Sequence, residues 1–283
     1  MISITVAGVP EHFNYPWHMA IKEGAFQDRG LDVQWKDVPE GTGRMCEMLR
    51  TGETDFAIIL TEGIIKDIAA GNPSGIVQVY VKTPLIWGIH VAANSPYRSL
   101  DSLKGTVAAI SRYGSGSHLM SFVNANRMGW NTRNLKFKVV NTLEGGVEAL
   151  SKEEAAYFLW EHYTTKPLVD EGTFRRLGDC PTPWPCFVIA VRNTFVEEKA
   201  PIVKHVLEVI NTYTADFKHI PGIAKTLANK YRQQPEDVTD WLSRTSWGDQ
   251  NLTPEELKKV QSYLLDLDLL SKLWESHNYI TEL

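Results

Sequence analysis

The chain of 283 residues is long enough for about two domains of ordinary size, and its 43% hydrophobic and 22% charged residues exclude wholesale disorder. A net charge of −5 with no long basic run argues against nucleic acid as a partner and gives no pull toward an anionic membrane. No segment has the apolar length of a membrane span, so direct insertion is not expected.

Residues 2–9 run apolar and β-branched, as a buried strand does, and a turn over 10–16 leads into a helical pattern over 17–26 that stops near Gly30. Residues 31–35 read as a second strand, and Gly41-Thr42-Gly43 opens a helix over 44–50. A third strand, 55–60, is followed by a helix over 63–70 with the stop Gly71-Asn72-Pro73. Alternation this close implies a parallel sheet of right-handed βαβ units. Two adjacent strand-like runs, 76–83 and 85–92, then suit a passage out of a first lobe. The pattern restarts with strands at 107–111, 135–140 and 155–160 and helices at 118–128 and 145–150. Residues 187–192 read as a strand that brings the chain back. The remaining C-terminal stretch is mainly helical, with periodic segments near 202–217, 223–231, 238–244 and 254–274.

The expected fold class is therefore α/β: two lobes with mixed, mainly parallel sheets and a helical C-terminal portion. Two crossing segments, near 83–85 and 189–192, join them. Lobe 1 is expected over 1–90 and 190–283, and lobe 2 over 91–189.

Cys46, Cys180 and Cys186 cannot all pair within one monomer. Cys180 and Cys186 flank Pro-Thr-Pro-Trp-Pro and could close a small disulfide loop, but an odd, sparse set reads better as free, partly buried thiols. No cysteine pair has zinc-ligand spacing, and neither a metal nor a cofactor is expected. The N-terminus opens directly on an apparent strand without a leader pattern. A cytosolic address is the expectation, a periplasmic one requiring that a signal was removed.

Several landmarks occur in a telling order. Residues 20–26 run through Gly30-Leu31-Asp32-Val33, a helix leading into a strand, and residues 49–55 form a helix end and strand start. Residues 99–105, Gly114-Ser115 and Trp160-Glu161 complete the set. Together they resemble the type II periplasmic-binding-protein family that includes taurine, alkanesulfonate and thiamine-pyrimidine-precursor binders, whose fold is shared by the fungal pyrimidine-precursor synthases. The resemblance covers roughly residues 1–215 and implies a small-molecule ligand held between two lobes. A transporter or another protein is the partner that such a binder would serve.

In open α/β sheets ligands bind beyond the carboxyl ends of strands, where loops lead into helix N-termini. That rule nominates Phe13, Asn14, Tyr15, Gly41, Thr42, Thr61 and Glu62 from lobe 1, and Arg112, Tyr113, Gly114, Ser115, Ser117, Trp160 and Glu161 from lobe 2. The Gly114–Ser117 turn reads as an anion-friendly helix start, with Arg112 beside it. Tyr15 and Trp160 are suited to sandwich a flat ligand. Glu62 and Glu161 favour a ligand with donor groups, so a compact pyrimidine-, amine- or sulfonate-like molecule is expected.

No catalytic residue is assigned. The synthases carry a lysine and a histidine just after the third strand, and Ile59 and Gly63 stand at those positions here. Enzymatic turnover in thiamine-pyrimidine or related small-metabolite metabolism is therefore the alternative reading.

Overall fold

The computed structural model describes residues 1–283, with ten strands and ten α-helices alternating along the chain. The strands are β1 (Ile2–Gly8), β2 (Leu31–Asp37), β3 (Phe56–Leu60), β4 (Ser74–Val81) and β5 (Ile86–Ala92), then β6 (Val107–Ile110), β7 (Lys136–Val139), β8 (Tyr157–Glu161), β9 (Phe174–Pro181) and β10 (Phe187–Arg192). The helices are α1 (Tyr15–Lys22), α2 (Thr42–Thr51), α3 (Thr61–Ala69), α4 (Gly116–Arg127) and α5 (Leu143–Ser151), then α6 (Lys166–Asp170), α7 (Asn193–Ala215), α8 (Ile223–Tyr231), α9 (Pro235–Arg244) and α10 (Pro254–Asp266).

The chain divides into two compact units, one of residues 1–83, 184–265 and 270–283, the other of residues 84–183 and 266–269. The divisions fall at 83/84 and 183/184, and residues 189–192 lie inside β10 rather than in a crossing.

The first unit holds a five-stranded sheet in the order β2-β1-β3-β10-β4. β1 pairs in parallel with β2 and β3, whereas β10 runs antiparallel to β3 and β4. The central strand β3, Phe-Ala-Ile-Ile-Leu, is buried along nearly its whole length, as a strand covered on both faces must be. The edge strand β4 does not stay open: residue 280 bridges Ile76 in parallel, and Trp247 bridges Val81 in antiparallel fashion. α7 kinks at Lys199, just before Pro201, because proline supplies no N–H and its ring crowds the preceding turn.

The second unit repeats the plan with the order β7-β6-β8-β5-β9. β6 is parallel to β7 and β8, and β5 is antiparallel to β8 and β9. Its core gathers Ala109, Val140, Ala149, Leu150, Ala155, Phe158 and Phe174. β9 is a strand that hydrophobic periodicity does not announce: Phe-Arg-Arg-Leu-Gly-Asp-Cys-Pro is polar because it lies at an open sheet edge. All three cysteines are free and buried. No helix is long and apolar enough to cross a membrane, and no group of three or more His, Cys, Asp and Glu side chains is placed to hold a metal ion.

Candidate functional site

In the first unit the carboxyl ends of β1, β2 and β3 each lead into the start of a helix. After β1, the segment Glu11–Tyr15 is fixed by aromatic packing rather than by capping. The His12 ring lies 4.1 Å from Trp241, and Phe13 lies 5.1 Å from Trp241 and 5.3 Å from Phe187. The Phe13 carbonyl accepts from the Tyr80 hydroxyl at 2.9 Å and the Trp247 indole at 3.4 Å. Phe13 is only 5% exposed, so its ring belongs to this cluster. Tyr15 is half-buried, near Phe217 and His18, with the Lys230 ammonium 5.8 Å from its ring centre. Burial pushes the His12 imidazole down to about 3, so it is neutral at physiological pH.

Asn14 is buried, and its amide nitrogen donates to the Val9 carbonyl at 2.8 Å. That bond fixes the amide orientation and leaves Oδ1, which has no partner, as the other end. After β2, Gly41 precedes α2 and Thr42 begins it. After β3 no loop intervenes, and α3 starts at Thr61 immediately. The Thr61 hydroxyl donates to the Pro185 carbonyl at 2.6 Å and its N–H to the Cys186 carbonyl at 3.1 Å, which ties it to the backbone before β10. A Cβ on Gly63 would collide with the Thr42 methyl, so α2 and α3 start in contact through that glycine.

Glu62 is 4% exposed in the first turn of α3. Its Oε2 accepts from the Trp184 indole at 2.9 Å, and its Oε1 has no partner. Burial raises this carboxyl to about 7, against the lowering effects of a backbone N–H, the Trp184 indole and Lys66 one turn on.

In the second unit the turn after β6 is a network of hydroxyls. Ser115 caps α4 and accepts from the His118 N–H at 3.4 Å. The Ser117 hydroxyl accepts from the Ser111 N–H at 2.9 Å and lies 3.1 Å from the Ser115 hydroxyl. The Gly114 N–H donates to His118 Nδ1 at 3.1 Å and the Ser115 N–H to the Arg112 carbonyl at 3.2 Å. These N–H groups are spent inside the turn, and the three serine hydroxyls are linked through Ser117, which lies 3.3 Å from the Ser111 hydroxyl. Gly114 takes a positive φ of 74°, which lets the chain fold back onto the helix start. Arg112 and Tyr113 are exposed, Tyr113 by 66%, with its ring edge-on to His118.

Trp160 and Glu161 are the last two residues of β8, not residues that come after it. Successive strand residues face opposite sides of a sheet, so the structure separates them. Trp160 lies 5.0 Å from the Phe158 ring and packs against the core cluster containing the α5 residues Ala149 and Leu150. Glu161 is buried, and its Oε2 accepts from the Thr164 N–H at 2.6 Å; burial raises its carboxyl above the ordinary carboxylate range.

Beside Glu161 stand groups that sequence reading did not assemble. His162 Nδ1 lies 2.8 Å from Asp179 Oδ1, and the buried His90 Nε2 lies 2.9 Å from the Thr165 hydroxyl. Burial pushes His90 down to about 3. Asp179 could be found only by recognising β9, whose sequence carries no apolar alternation to signal it.

The whole-chain architecture has close counterparts. The chain superposes on the Candida albicans CA3427 gene product with a TM-score of 0.88 and 25% identity, over 99% of this chain and 96% of that one. That protein is described as defining a new family with the generic periplasmic-binding-protein fold. The fold here is that of the periplasmic binding proteins. Within it, residues 87–180 match the family described as Ca3427-like PBP. The same binding-protein fold appears in the alkanesulfonate-binding protein SsuA of Xanthomonas axonopodis pv. citri bound to MOPS, with a TM-score of 0.80 and 18% identity over 96% of this chain and 95% of that one. The periplasmic aliphatic sulphonate-binding protein SsuA of Escherichia coli superposes with a TM-score of 0.78 and 16% identity, over 100% of this chain and 92% of that one. No curated protein matches the chain by sequence.

Proposed function

We propose that this chain binds one compact polar or heteroaromatic small molecule at the strand-end loops of its two units, closing around it and handing it to a transporter or another protein. The observation that carries this reading is the repeated plan of the two sheets. In each, parallel strands end at helix starts, the place where open α/β sheets take ligands. The MOPS-bound SsuA, similar over 96% of this chain, supports a small-molecule ligand. The residues proposed to meet it are those that the strand ends present: Asn14, Tyr15, Thr42 and Glu62 from the first unit, and Arg112, Tyr113 and Glu161 from the second. Phe13, Thr61, Ser115 and Ser117 would shape the walls behind them, since their polar groups or rings are already committed.

The synthase chemistry receives no support from these residues. Ile59 is buried in β3 opposite Val188, and the approach of Thr42 leaves Gly63 no room for a side chain.

The test is a thermal-shift screen with pyrimidines, amines, amidines, amino acids and sulfonates, followed by mass analysis of any compound that stabilises the protein. A binder raises Tm with at least one class and returns the compound unchanged. Stabilisation by none of them, or conversion of the compound, overturns the reading. Ligand contacts to both units would favour a closed state, so a stabilising compound should also reduce the radius of gyration in solution scattering.

A further inference from the structure

The first unit carries buried acceptor atoms without partners on Asn14, Glu62 and Asn251, and the first two lie on segments that come after adjacent, paired strands. Asn14 Oδ1 lies beyond β1, and Glu62 Oε1 beyond β3. A buried polar atom left unpaired is costly, more so where it is charged, so two at one end of one sheet call for a reason. Each residue is anchored through its other polar atom, Asn14 Nδ2 to the Val9 carbonyl and Glu62 Oε2 to the Trp184 indole. Neither side chain can therefore satisfy the free oxygen by turning its amide or carboxylate over without breaking a bond that it already makes.

The anchors also fix the chemical sense. Burial holds the Glu62 carboxyl near 7, so above that pH it is a carboxylate, the form that the Trp184 N–H and the first turn of α3 favour. In that form Oε1 can only accept, and no neighbour donates to it. Two unpartnered indole donors also lie in this unit, on Trp17 and Trp241, but both are enclosed by other rings: Trp17 by Phe26, Trp35 and Tyr80, Trp241 by His12, Phe13 and Trp247. They belong to packing.

We infer that Glu62 Oε1 and Asn14 Oδ1 are the acceptors for N–H groups of the ligand, and that the first unit selects an amidinium-, guanidinium- or aminoheterocycle-type nitrogen over a sulfonate. The inference rests on the small-molecule-binding reading above and narrows it. A sulfonate offers only acceptors, which would face a carboxylate and an amide oxygen.

Calorimetric titration with benzamidine and benzenesulfonate, one shape with opposite hydrogen-bonding character, tests it on the whole chain. Benzamidine should bind the unaltered protein more tightly than benzenesulfonate does. Glu62→Gln keeps an oxygen for the Trp184 indole but can turn an amide N–H₂ toward the ligand, so it should weaken benzamidine on the order of tenfold to a hundredfold. Asn14→Leu removes the second acceptor and should weaken it by a smaller factor; Tm of the Gln variant shows that the fold survives. Tighter binding of benzenesulfonate to the unaltered protein, binding of neither probe, or an unchanged benzamidine affinity in Glu62→Gln overturns the inference. Such a result leaves the broader binder reading standing if another class of the thermal-shift panel stabilises the chain. A panel in which nothing binds overturns both.

Discussion

The two units share a strand order, with four strands running one way and the fourth in order running against them, yet they build their strand-end segments from different materials. In the first unit the segment after β1 is held by rings: His12 and Phe13 lie against Trp241, which comes from α9 in the C-terminal helical part. In the second unit the corresponding turn after β6 is held by hydroxyls of Ser111, Ser115 and Ser117 within a few residues of sequence. Topology decides where such a segment lies, and local chemistry decides what holds it. Packing against distant helices makes the first unit's segment depend on the whole unit, whereas the hydroxyl network of the second unit's turn is self-contained, although Tyr113 and His118 also pack on Phe137 of β7.

That difference can be broken most strongly at Trp241. Trp241→Ala should cost about 3–5 kcal/mol of stability in urea unfolding, as large-to-small core changes do. It should also speed amide exchange over 12–14 while leaving the turn over 111–118 protected. Equal acceleration in both places would show that the second turn is not self-contained.

Acid should probe the likeness between the units, since each buries a histidine, His12 in one and His90 in the other, whose imidazole sits at about 3 instead of 6.5. Below 6.5 the unfolded chain takes up protons that the native state refuses, so stability falls as pH drops from 6.5 toward 3. Glu62 acts in the opposite sense between its ordinary 4.5 and about 7, because there the native state holds the extra proton. Glu62→Gln should therefore steepen the loss of stability on acidification, read as Tm against pH. A flat profile would contradict the burial of both histidines.

Ser117→Ala should cost about 1–3 kcal/mol, because the Ser111 N–H loses its acceptor in a buried place. Its exchange signature should be confined to the second unit. Tyr113→Ala should change stability by no more than about 0.5 kcal/mol, since the ring is 66% exposed. It should nonetheless weaken whatever compound the thermal-shift screen identifies; unchanged affinity would remove Tyr113 from the proposed site.

Much of the fold was legible because strands β1, β3 and β10 are apolar runs bounded by helix starts and stops, and α8 spans the expected residues 223–231. Boundaries moved where side chains from elsewhere took over. α1 begins at Tyr15 because the aromatic cluster holds the preceding residues, and α3 begins at Thr61 because the backbone at 185–186 accepts from it. β9 escapes the sequence because an edge strand needs no continuous apolar face, and with it goes Asp179, the partner of His162.

The sequence by itself determined the βα alternation, the helical C-terminal part and the strand ends at which polar residues gather, because periodicity and glycine-proline punctuation are local properties. Only the tertiary structure decided which of those residues are already spent. Pairing, burial and hydrogen bonding join positions far apart in the chain: Trp160 went to the core and away from Glu161, Thr61 was tied to residues 185 and 186, and Glu62 was left with one oxygen bonded and one open.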